Sequence, residues 1–416
     1  MNILVVHNYY RIPGGEDTVV RNEIELLKSH GHEVTVYTRS NSEFAHLQGI
    51  GKLRKLAIPF VTIYNPKTSR DITSIIREKK IDVVHVHNTL NLISPSVYYA
   101  ARRCKVPVVQ TIHNFRLLCP GATFNREMHV CEDCVSKGLS CALKHKCYRG
   151  SFLQTLACVL LLKIHRSTGI YGKINYICLT EFNREKLLML NHTPGGKKLI
   201  DEDRVFVKPN SATGTEISDT GTEILSGSCQ EPDKISVPVS EISVPVAESY
   251  VLYAGRLDEL KGVDFLVDAW TSDMPKLIIC GTGPLEKCTT EKTAERSNIE
   301  FRGFVDHEEV MKLISGAAAM ILPTRWYEGF PMTVVESYST GTPVIGSDIG
   351  NTGSLIEDGV TGHKFTTGDA NALKDAVDKV MEAGEGIRKS TREMFDKKYT
   401  PEKNYELLMD IYSKAK

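Results

Sequence analysis

Short apolar runs alternate with longer amphipathic stretches along the whole chain. Parallel sheets covered by helices on both faces produce this alternation. The first half predicts a helix over Arg21–His30 and strands at Ile3–His7, Val34–Thr38, Val83–His87, Val108–Thr111, Tyr176–Leu179 and Val205–Lys208. The second half predicts strands at Tyr250–Ala254, Leu277–Cys280, Ile299–Arg302, Ala319–Pro323 and Pro343–Ser347. The pattern therefore predicts an α/β protein with two Rossmann-like, doubly wound domains in tandem.

The composition changes abruptly after Asn210. From residue 211 to residue 249 the chain is rich in Ser, Thr, Glu, Pro and Gly, and the sequence ISVPV occurs twice, which predicts a polar linker or insertion. We therefore expect domains at 1–210 and 250–398. The break at Tyr399-Thr400-Pro401 predicts a separate C-terminal helix, within 399–416, that returns to the N-terminal domain.

The overall charge limits the classes of partner. The 416 residues contain 51 Lys and Arg and 51 Asp and Glu, so no general electrostatic attraction to nucleic acid is expected. The start of the chain lacks a basic segment followed by an apolar one, which predicts a cytoplasmic protein. The apolar run Phe152–Ile164 is too short to span a bilayer, and it predicts a buried helix or a helix on the inner membrane surface.

The most informative segment is Glu328-Gly-Phe-Pro-Met-Thr-Val-Val-Glu336. Pro331 suits the first turn of a helix and Gly341 suits its end, so we expect a helix over Pro331–Thr340. The free N–H groups at a helix start attract anions, and nearby carboxylates bind hydroxyl groups. A ligand with both phosphates and hydroxyls, such as a sugar nucleotide, fits this combination.

Two further segments follow predicted strands of the second half. Arg256 and Lys261 lie after the first of these strands, where they could bind the phosphate oxygens of a ligand or be solvated charges in a turn. Gly281 and Gly283 form a tight turn after the next strand, which would let the backbone approach a ligand.

Together these segments resemble family-4 retaining glycosyltransferases of the GT-B fold, in which two Rossmann-like domains face each other across a cleft. The resemblance rests on EGFPMTVVE, Gly255-Arg256, Lys261-Gly262, Gly281-Thr-Gly-Pro284 and Arg302-Gly303-Phe304-Val305 in the family's usual order. The first half adds Gly14-Gly15, His113-Asn114 and Lys208-Pro209-Asn210.

The resemblance implies roles for individual residues. Arg256, Lys261, Gly14 and Gly15 would surround the donor diphosphate, and His113 and Glu328 would take part in catalysis near the donor sugar. Phe304 and Val305 would face the base. The donor sugar and ribose would be contacted by Glu328, Gly329, Phe330, Pro331, Met332, Thr333, Val334 and Glu336.

The resemblance also implies a reaction. The enzyme would transfer a hexosyl or related group from a nucleotide sugar to a saccharide or lipid-linked acceptor in cell-surface polysaccharide synthesis. Fixed cations and helix N–H groups can stabilise the departing diphosphate, so no metal or other cofactor is expected for catalysis. A nucleotide-sugar epimerase of the same fold, or a non-catalytic zinc-bearing binding protein, remains an alternative.

A cluster of cysteines follows His113 within the segment 119–147. Cys131, Cys134, Cys141 and Cys147 have spacings from which a structural zinc site is predicted. Reduced thiols and an iron–sulfur cluster are the alternatives. Neither the sequence nor the resemblance identifies the base, the sugar, the acceptor or the oligomeric state.

Overall fold

The computed structural model describes residues 1–10, 14–44, 58–195, 197–213 and 249–415. It contains two separate parallel sheets of six strands, so the predicted α/β class with two doubly wound domains is confirmed. The predicted linker 211–249 lies almost entirely outside the described residues.

The first sheet has strand order β2-β1-β3-β4-β7-β8, and a separate antiparallel hairpin is formed by β5 and β6. The strands are β1 (Asn2–Tyr9), β2 (Glu33–Ser40), β3 (Val83–Asn88), β4 (Val108–Ile112), β5 (Asn125–Arg126), β6 (His129–Val130), β7 (Asn175–Cys178) and β8 (Val205–Val207). The helices are α1 (Gly15–Ser29), α2 (Ile58–Ile63), α3 (Pro66–Glu78), α4 (Ser96–Arg103), α5 (Asp133–Ser136), α6 (Ser140–His145), α7 (Phe152–Ser167) and α8 (Glu181–Leu188).

The second sheet has strand order β11-β10-β9-β12-β13-β14. Its strands are β9 (Tyr250–Ala254), β10 (Lys276–Cys280), β11 (Ile299–Gly303), β12 (Ala319–Leu322), β13 (Val344–Ser347) and β14 (Gly362–Phe365). The helices are α9 (Val263–Ala269), α10 (Glu286–Thr293), α11 (His307–Gly316), α12 (Met332–Ser339), α13 (Gly350–Leu355), α14 (Ala370–Lys398) and α15 (Pro401–Lys414).

Local sequence explains where several helices begin. Asn65 accepts hydrogen bonds from the amides of Lys67 and Thr68, and Pro66 occupies the first turn of α3. Ser151 caps α7 by accepting from the amide of Gln154. The central strands β3, β4 and β7 are buried along their whole length, as parallel strands covered on both faces must be.

The C-terminal helix α15 packs against the first sheet. Leu408, Ile411 and Tyr412 share one apolar cluster with Ile3 and Val5 of β1. The C-terminal helix thus belongs to the core of the first domain.

None of the helices in the described ranges has the length and apolarity needed to cross a membrane.

Candidate functional site

The carboxyl ends of the two sheets face each other across a narrow cleft. A Cβ atom added to Gly15, at the start of α1, would lie 4.0 Å from Cγ of Met332 at the start of α12. A Cβ on Gly329 would lie only 2.2 Å from the carbonyl oxygen of His113. The structure therefore brings Gly15 and His113 of the first half next to Met332 and Gly329 of the second. Gly14 and Gly15 do not form a free loop, because Gly14 caps α1 and Gly15 is its first residue.

Glu328 is a buried carboxylate at the centre of this cleft. Its Oε2 atom accepts a 2.7 Å hydrogen bond from Nζ of Lys261, and its Oε1 atom is buried and lacks a partner among the described residues. The buried, unpartnered oxygen can accept a hydrogen bond from a ligand hydroxyl. Arg256 lies nearer the solvent, with 61% of its side chain exposed beside Asp258.

Helix α12 begins directly after this carboxylate. Pro331 is its N-cap and Met332 its first residue, one residue later than the sequence predicts. In the first turn the amide of Val334 donates to the carbonyl of Pro331, whereas the amides of Met332 and Thr333 have no partner inside the helix. Glu336 lies one turn further along, where burial raises the pKa of its carboxyl despite the opposing effect of His307.

Phe304 lies after β11 and has 77% of its surface exposed, while Val305 packs partly against the core of the second domain. An exposed aromatic ring such as that of Phe304 provides a flat surface for stacking.

Gly281 and Gly283 also have a structural role that the sequence did not predict, and their approach to a ligand stays a prediction. A Cβ on Gly281 would lie 1.9 Å from the carbonyl oxygen of Gly255, and one on Gly283 would lie 2.4 Å from that of Leu257. These glycines therefore allow two neighbouring backbone turns to touch each other. This contact fixes the turn that carries Arg256.

An amide side chain that the sequence analysis missed joins the two domains. Asn351, at the start of α13, donates to the carbonyl oxygens of Glu328 and Gly329, each at 2.6 Å, and to Oδ1 of Asn183 at 2.7 Å. Asn183 in turn donates to the carbonyl of Gly329 at 2.9 Å, and Thr180 bonds to Asn351. Thr180 therefore stabilises the domain contact. No local motif marks Asn351, since its partners lie 22 to 171 residues away.

A second missed set of residues lies behind His113. Nε2 of His113 lies 3.0 Å from Nδ1 of His87, and Nε2 of His87 lies 3.3 Å from a carboxylate oxygen of Glu23. Glu23 also contacts Nδ1 of His85 at 2.9 Å and Nζ of Lys208 at 3.1 Å. All of these except His113 are buried, so Lys208 supplies the positive charge that balances Glu23.

This network determines the charges near the cleft. Burial alone would raise the pKa of Glu23, but His85 and Lys208 outweigh it and hold that pKa well below its usual range. Burial, together with His85, lowers the pKa of His87 to about 4. Burial, with His87 close by, also holds the pKa of His113 well below its usual range. His113 is consequently a neutral imidazole near neutral pH.

A polar group also lines the side of the cleft next to Gly14. Asn88 donates to Glu16 at 3.1 Å, and burial together with the Asp17 carboxylate raises the pKa of Glu16 to about 7. The Arg116 guanidinium opposes this rise in the pKa of Glu16. It also opposes the rise that burial causes in the pKa of Tyr10. His113 and Arg116 share a cavity with Leu161 and Leu162 of α7.

The predicted zinc ligands lie in one neighbourhood. Burial, with Cys119 and Cys147 nearby, raises the pKa of Cys134 to about 12. Within the described ranges, however, no three of the cysteine sulfurs lie within 4.8 Å of one another. Two other sets of three described residues do bring their ligand atoms this close together. One consists of Glu23, His85 and His87, and the other of His7, Glu16 and Asp17. The zinc site therefore stays a prediction.

Comparisons with known proteins agree with this geometry. The model of glycosyl transferases group 1 matches residues 240–411, and that of the glycosyl transferase 4-like domain matches residues 14–142. An uncharacterized glycosyltransferase of Methanocaldococcus jannaschii is 24% identical over 89% of this chain and 86% of its own.

Solved structures extend the likeness to the whole fold. The Anabaena protein HepE, in complex with UDP, superposes with a TM-score of 0.62 and 16% identity over 99% of this chain and 100% of its own. The lipopolysaccharide outer core galactosyltransferase WaaB, in its apo form, has the same TM-score with 15% identity over 99% of each chain. Together with the two family models and the paired domains, these likenesses confirm the predicted family and fold, although not retention: the chain belongs to the GT4-type glycosyltransferases of the GT-B fold.

Proposed function

We propose that this glycosyltransferase cleaves a nucleoside diphosphate sugar in the cleft and transfers the sugar to a saccharide or lipid-linked saccharide. The observation that carries the proposal is the ion pair of half-buried Lys261 with buried Glu328, which lies shortly before the start of α12. A nucleotide sugar has hydroxyls for Glu328 and phosphates for Lys261, Arg256 and the helix amides. The UDP complex of HepE supports a uridine nucleotide as the first donor to test.

The charges suit the bond that must break. Cleavage of a glycosyl–phosphate bond places positive charge on the sugar and negative charge on the departing diphosphate. Lys261 then gains a stronger partner in the diphosphate, while Glu328 is released to accept hydrogen bonds from sugar hydroxyls. Groups already fixed in these positions stabilise the separated charges without further reorganisation. The proposal therefore assigns the leaving-group role to protein cations and includes no metal ion in the step.

Neutral His113 supports the same assignment. Because a Glu23 carboxylate oxygen lies 3.3 Å from Nε2 of His87, we assign the His87 proton to Nε2, and in this tautomer Nδ1 of His87 accepts from Nε2–H of His113. Nδ1 of His113 then carries a lone pair and can accept a hydrogen bond from a sugar hydroxyl. An imidazolium at this position would repel the developing positive charge on the sugar.

We further propose transfer with retention of configuration. The acceptor would attack from the face on which the diphosphate leaves, and the leaving phosphate would take the acceptor proton. Cell-surface polysaccharide synthesis at the inner face of a membrane is the setting that we propose. The likeness to a lipopolysaccharide galactosyltransferase supports this setting.

Thermal melting with a panel of nucleoside diphosphates and nucleotide sugars tests the donor site. A ligand at one hundred times its Kd stabilises the native protein by about 2.7 kcal/mol. We expect one nucleoside diphosphate to raise the Tm of the wild-type protein, and Lys261→Ala or Glu336→Ala to abolish that rise. Lys379→Ala, at an exposed position on α14, is the matched control and should keep it. A panel without any shift would contradict the proposal.

NMR of the product separates retention from inversion, because it reports the anomeric configuration of the transferred sugar. Activity measured with and without EDTA tests the metal-independent step. Product of the opposite anomeric configuration would contradict the same-face mechanism, and complete loss of activity in EDTA would contradict the metal-independent step.

A further inference from the structure

The helix pair α2 and α7 exposes an unusual number of large apolar side chains. Phe60 on α2 is 75% exposed and Leu153 on α7 is 71% exposed. The others, all on α7, are Phe152, Leu160 and Ile164. The two helices pack together through a hydrogen bond from His165 to the carbonyl of Ile63. We call the surface formed by these five side chains the α2/α7 face.

Spacing along α7 explains why these residues share a surface. Leu153, Leu160 and Ile164 are separated by seven and four residues, which places them on one side of the helix. The opposite side, including Leu161 and Leu162, is buried. Lys163 is exposed next to Ile164 and three residues after Leu160, so a cation lies on the apolar side.

The charge of this region differs from that of the whole chain. Between Cys134 and Thr180 there is no Asp or Glu, although the chain as a whole has equal numbers of acidic and basic residues. The same segment contains seven basic residues, of which Lys137 pairs with Asp133 and Arg166 donates to the carbonyl of Leu117. The other five are exposed: Lys144, Lys146, Arg149, Lys163 and Lys173. A protein partner with an apolar surface would explain the apolar residues alone. An anionic bilayer explains both the apolar residues and the excess of cations.

We propose that the α2/α7 face lies on a bilayer that contains anionic lipids, with its apolar side chains in the headgroup region and its cations among the lipid phosphates. This inference rests on the proposed function. The buried side of the same helix contributes Leu161 and Leu162 to the cavity that also contains His113 and Arg116. A bilayer on the outer side would therefore hold a lipid-linked acceptor on the side of the first domain that also carries His113.

Vesicle sedimentation of the full-length protein tests this surface. We expect the wild-type protein to bind vesicles of phosphatidylcholine with phosphatidylglycerol, and to bind pure phosphatidylcholine vesicles more weakly. The double variant Leu153→Gln/Leu160→Gln should lower the partition coefficient by roughly tenfold. Lys163→Gln should lower it by about fivefold on the anionic vesicles only, since one cation near such a surface contributes about that factor.

Matched controls come from the C-terminal part of the chain. Leu407→Gln removes an exposed apolar side chain of α15, and Lys379→Gln removes an exposed cation of α14. Both should bind vesicles like the wild-type protein. A wild-type protein that does not sediment with anionic vesicles would overturn the proposal, as would equal binding by the α2/α7 variants and the controls.

Two further measurements separate this inference from its alternatives. Analytical ultracentrifugation without lipid detects self-association, and a dimer that the double variant abolishes would instead assign the face to a second copy of the chain. Nucleotide-dependent melting of the double variant should equal that of the wild-type protein. If no nucleotide shifts either protein while vesicle binding holds, the proposed donor site fails and the membrane surface stands.

Discussion

Replacing Gly329 by Ala tests whether the contact between the two domains belongs to the active enzyme. The added Cβ would lie 2.2 Å from the carbonyl oxygen of His113 and 3.3 Å from its carbonyl carbon. Non-bonded heavy atoms prefer separations near 3.5 Å, so the backbone segments must separate by about 1 Å. Opening of the cleft relieves this clash without disturbing the core of either domain.

The size of the effect follows from the cost of overpacking. Inserting one methyl group into a closely packed contact typically costs about 1–3 kcal/mol. Because opening relieves the clash, this cost falls on the closed arrangement and leaves the free energy of unfolding of each domain nearly unchanged. We expect kcat/KM to fall by roughly 5- to 150-fold, the factor that corresponds to this free energy.

Donor cleavage without an acceptor provides the assay, with release of the nucleoside diphosphate as the signal. Gly386→Ala is the control, since a Cβ at that helical position would have no neighbour within 4 Å. Small-angle X-ray scattering of the nucleotide-bound variant should show a larger radius of gyration than that of the wild-type protein. A Gly329→Ala enzyme with wild-type kcat/KM would refute the argument that the contact with His113 forms during catalysis.

Three further predictions follow from the buried polar groups. Lys208→Met leaves the Glu23 carboxylate buried without its cation, so the free energy of unfolding in urea should fall by about 3–5 kcal/mol at neutral pH. The pKa of Glu23 is held well below 4.5, so the free energy of unfolding of the wild-type protein should decrease as the pH falls below 4.5. The free energy of unfolding of Lys208→Met should decrease less over the same pH range. Asn351→Ala removes the bonds to the carbonyls of Glu328 and Gly329, so kcat should fall roughly tenfold while circular dichroism stays unchanged. The rate of the wild-type enzyme should change near pH 7, where Glu16 ionises, and Glu16→Gln should remove this change from the pH–rate profile; an unchanged profile would contradict the assignment to Glu16.

The sequence predicted most of the sheet framework because buried parallel strands are continuous apolar runs. The predictions of β1, β3, β4 and β9 differ from the observed strands by at most two residues at either end. It did not predict β14, since Gly362-His-Lys-Phe365 contains only one large apolar side chain. The start of α1 was placed six residues too late, because glycine at Gly15 usually signals a loop.

The candidate site was predictable where a local motif carries the chemistry. Glu328 and the start of α12 lie in one short segment, and the structure places them together beside Lys261. Asn351 and Lys208 depend on partners from distant parts of the chain, so their roles follow only from the folded structure. At Gly281 the tight turn was predictable, but its contact with the carbonyl of Gly255 follows only from the folded structure.

The return of α15 to the first domain has a consequence for the cleft. Asn404 accepts a 2.9 Å hydrogen bond from Lys208, and Tyr412 contacts Nδ1 of His85 at 2.7 Å. Both side chains belong to α15, and both cover the charged group that positions His87 behind His113. Water in this space would weaken the pull of Glu23 on the His87 proton, because a higher local dielectric reduces every charge interaction. In the proposed mechanism the C-terminal helix therefore helps to fix the tautomer of His113, although the helix contacts His85 and Lys208 and not His113 itself.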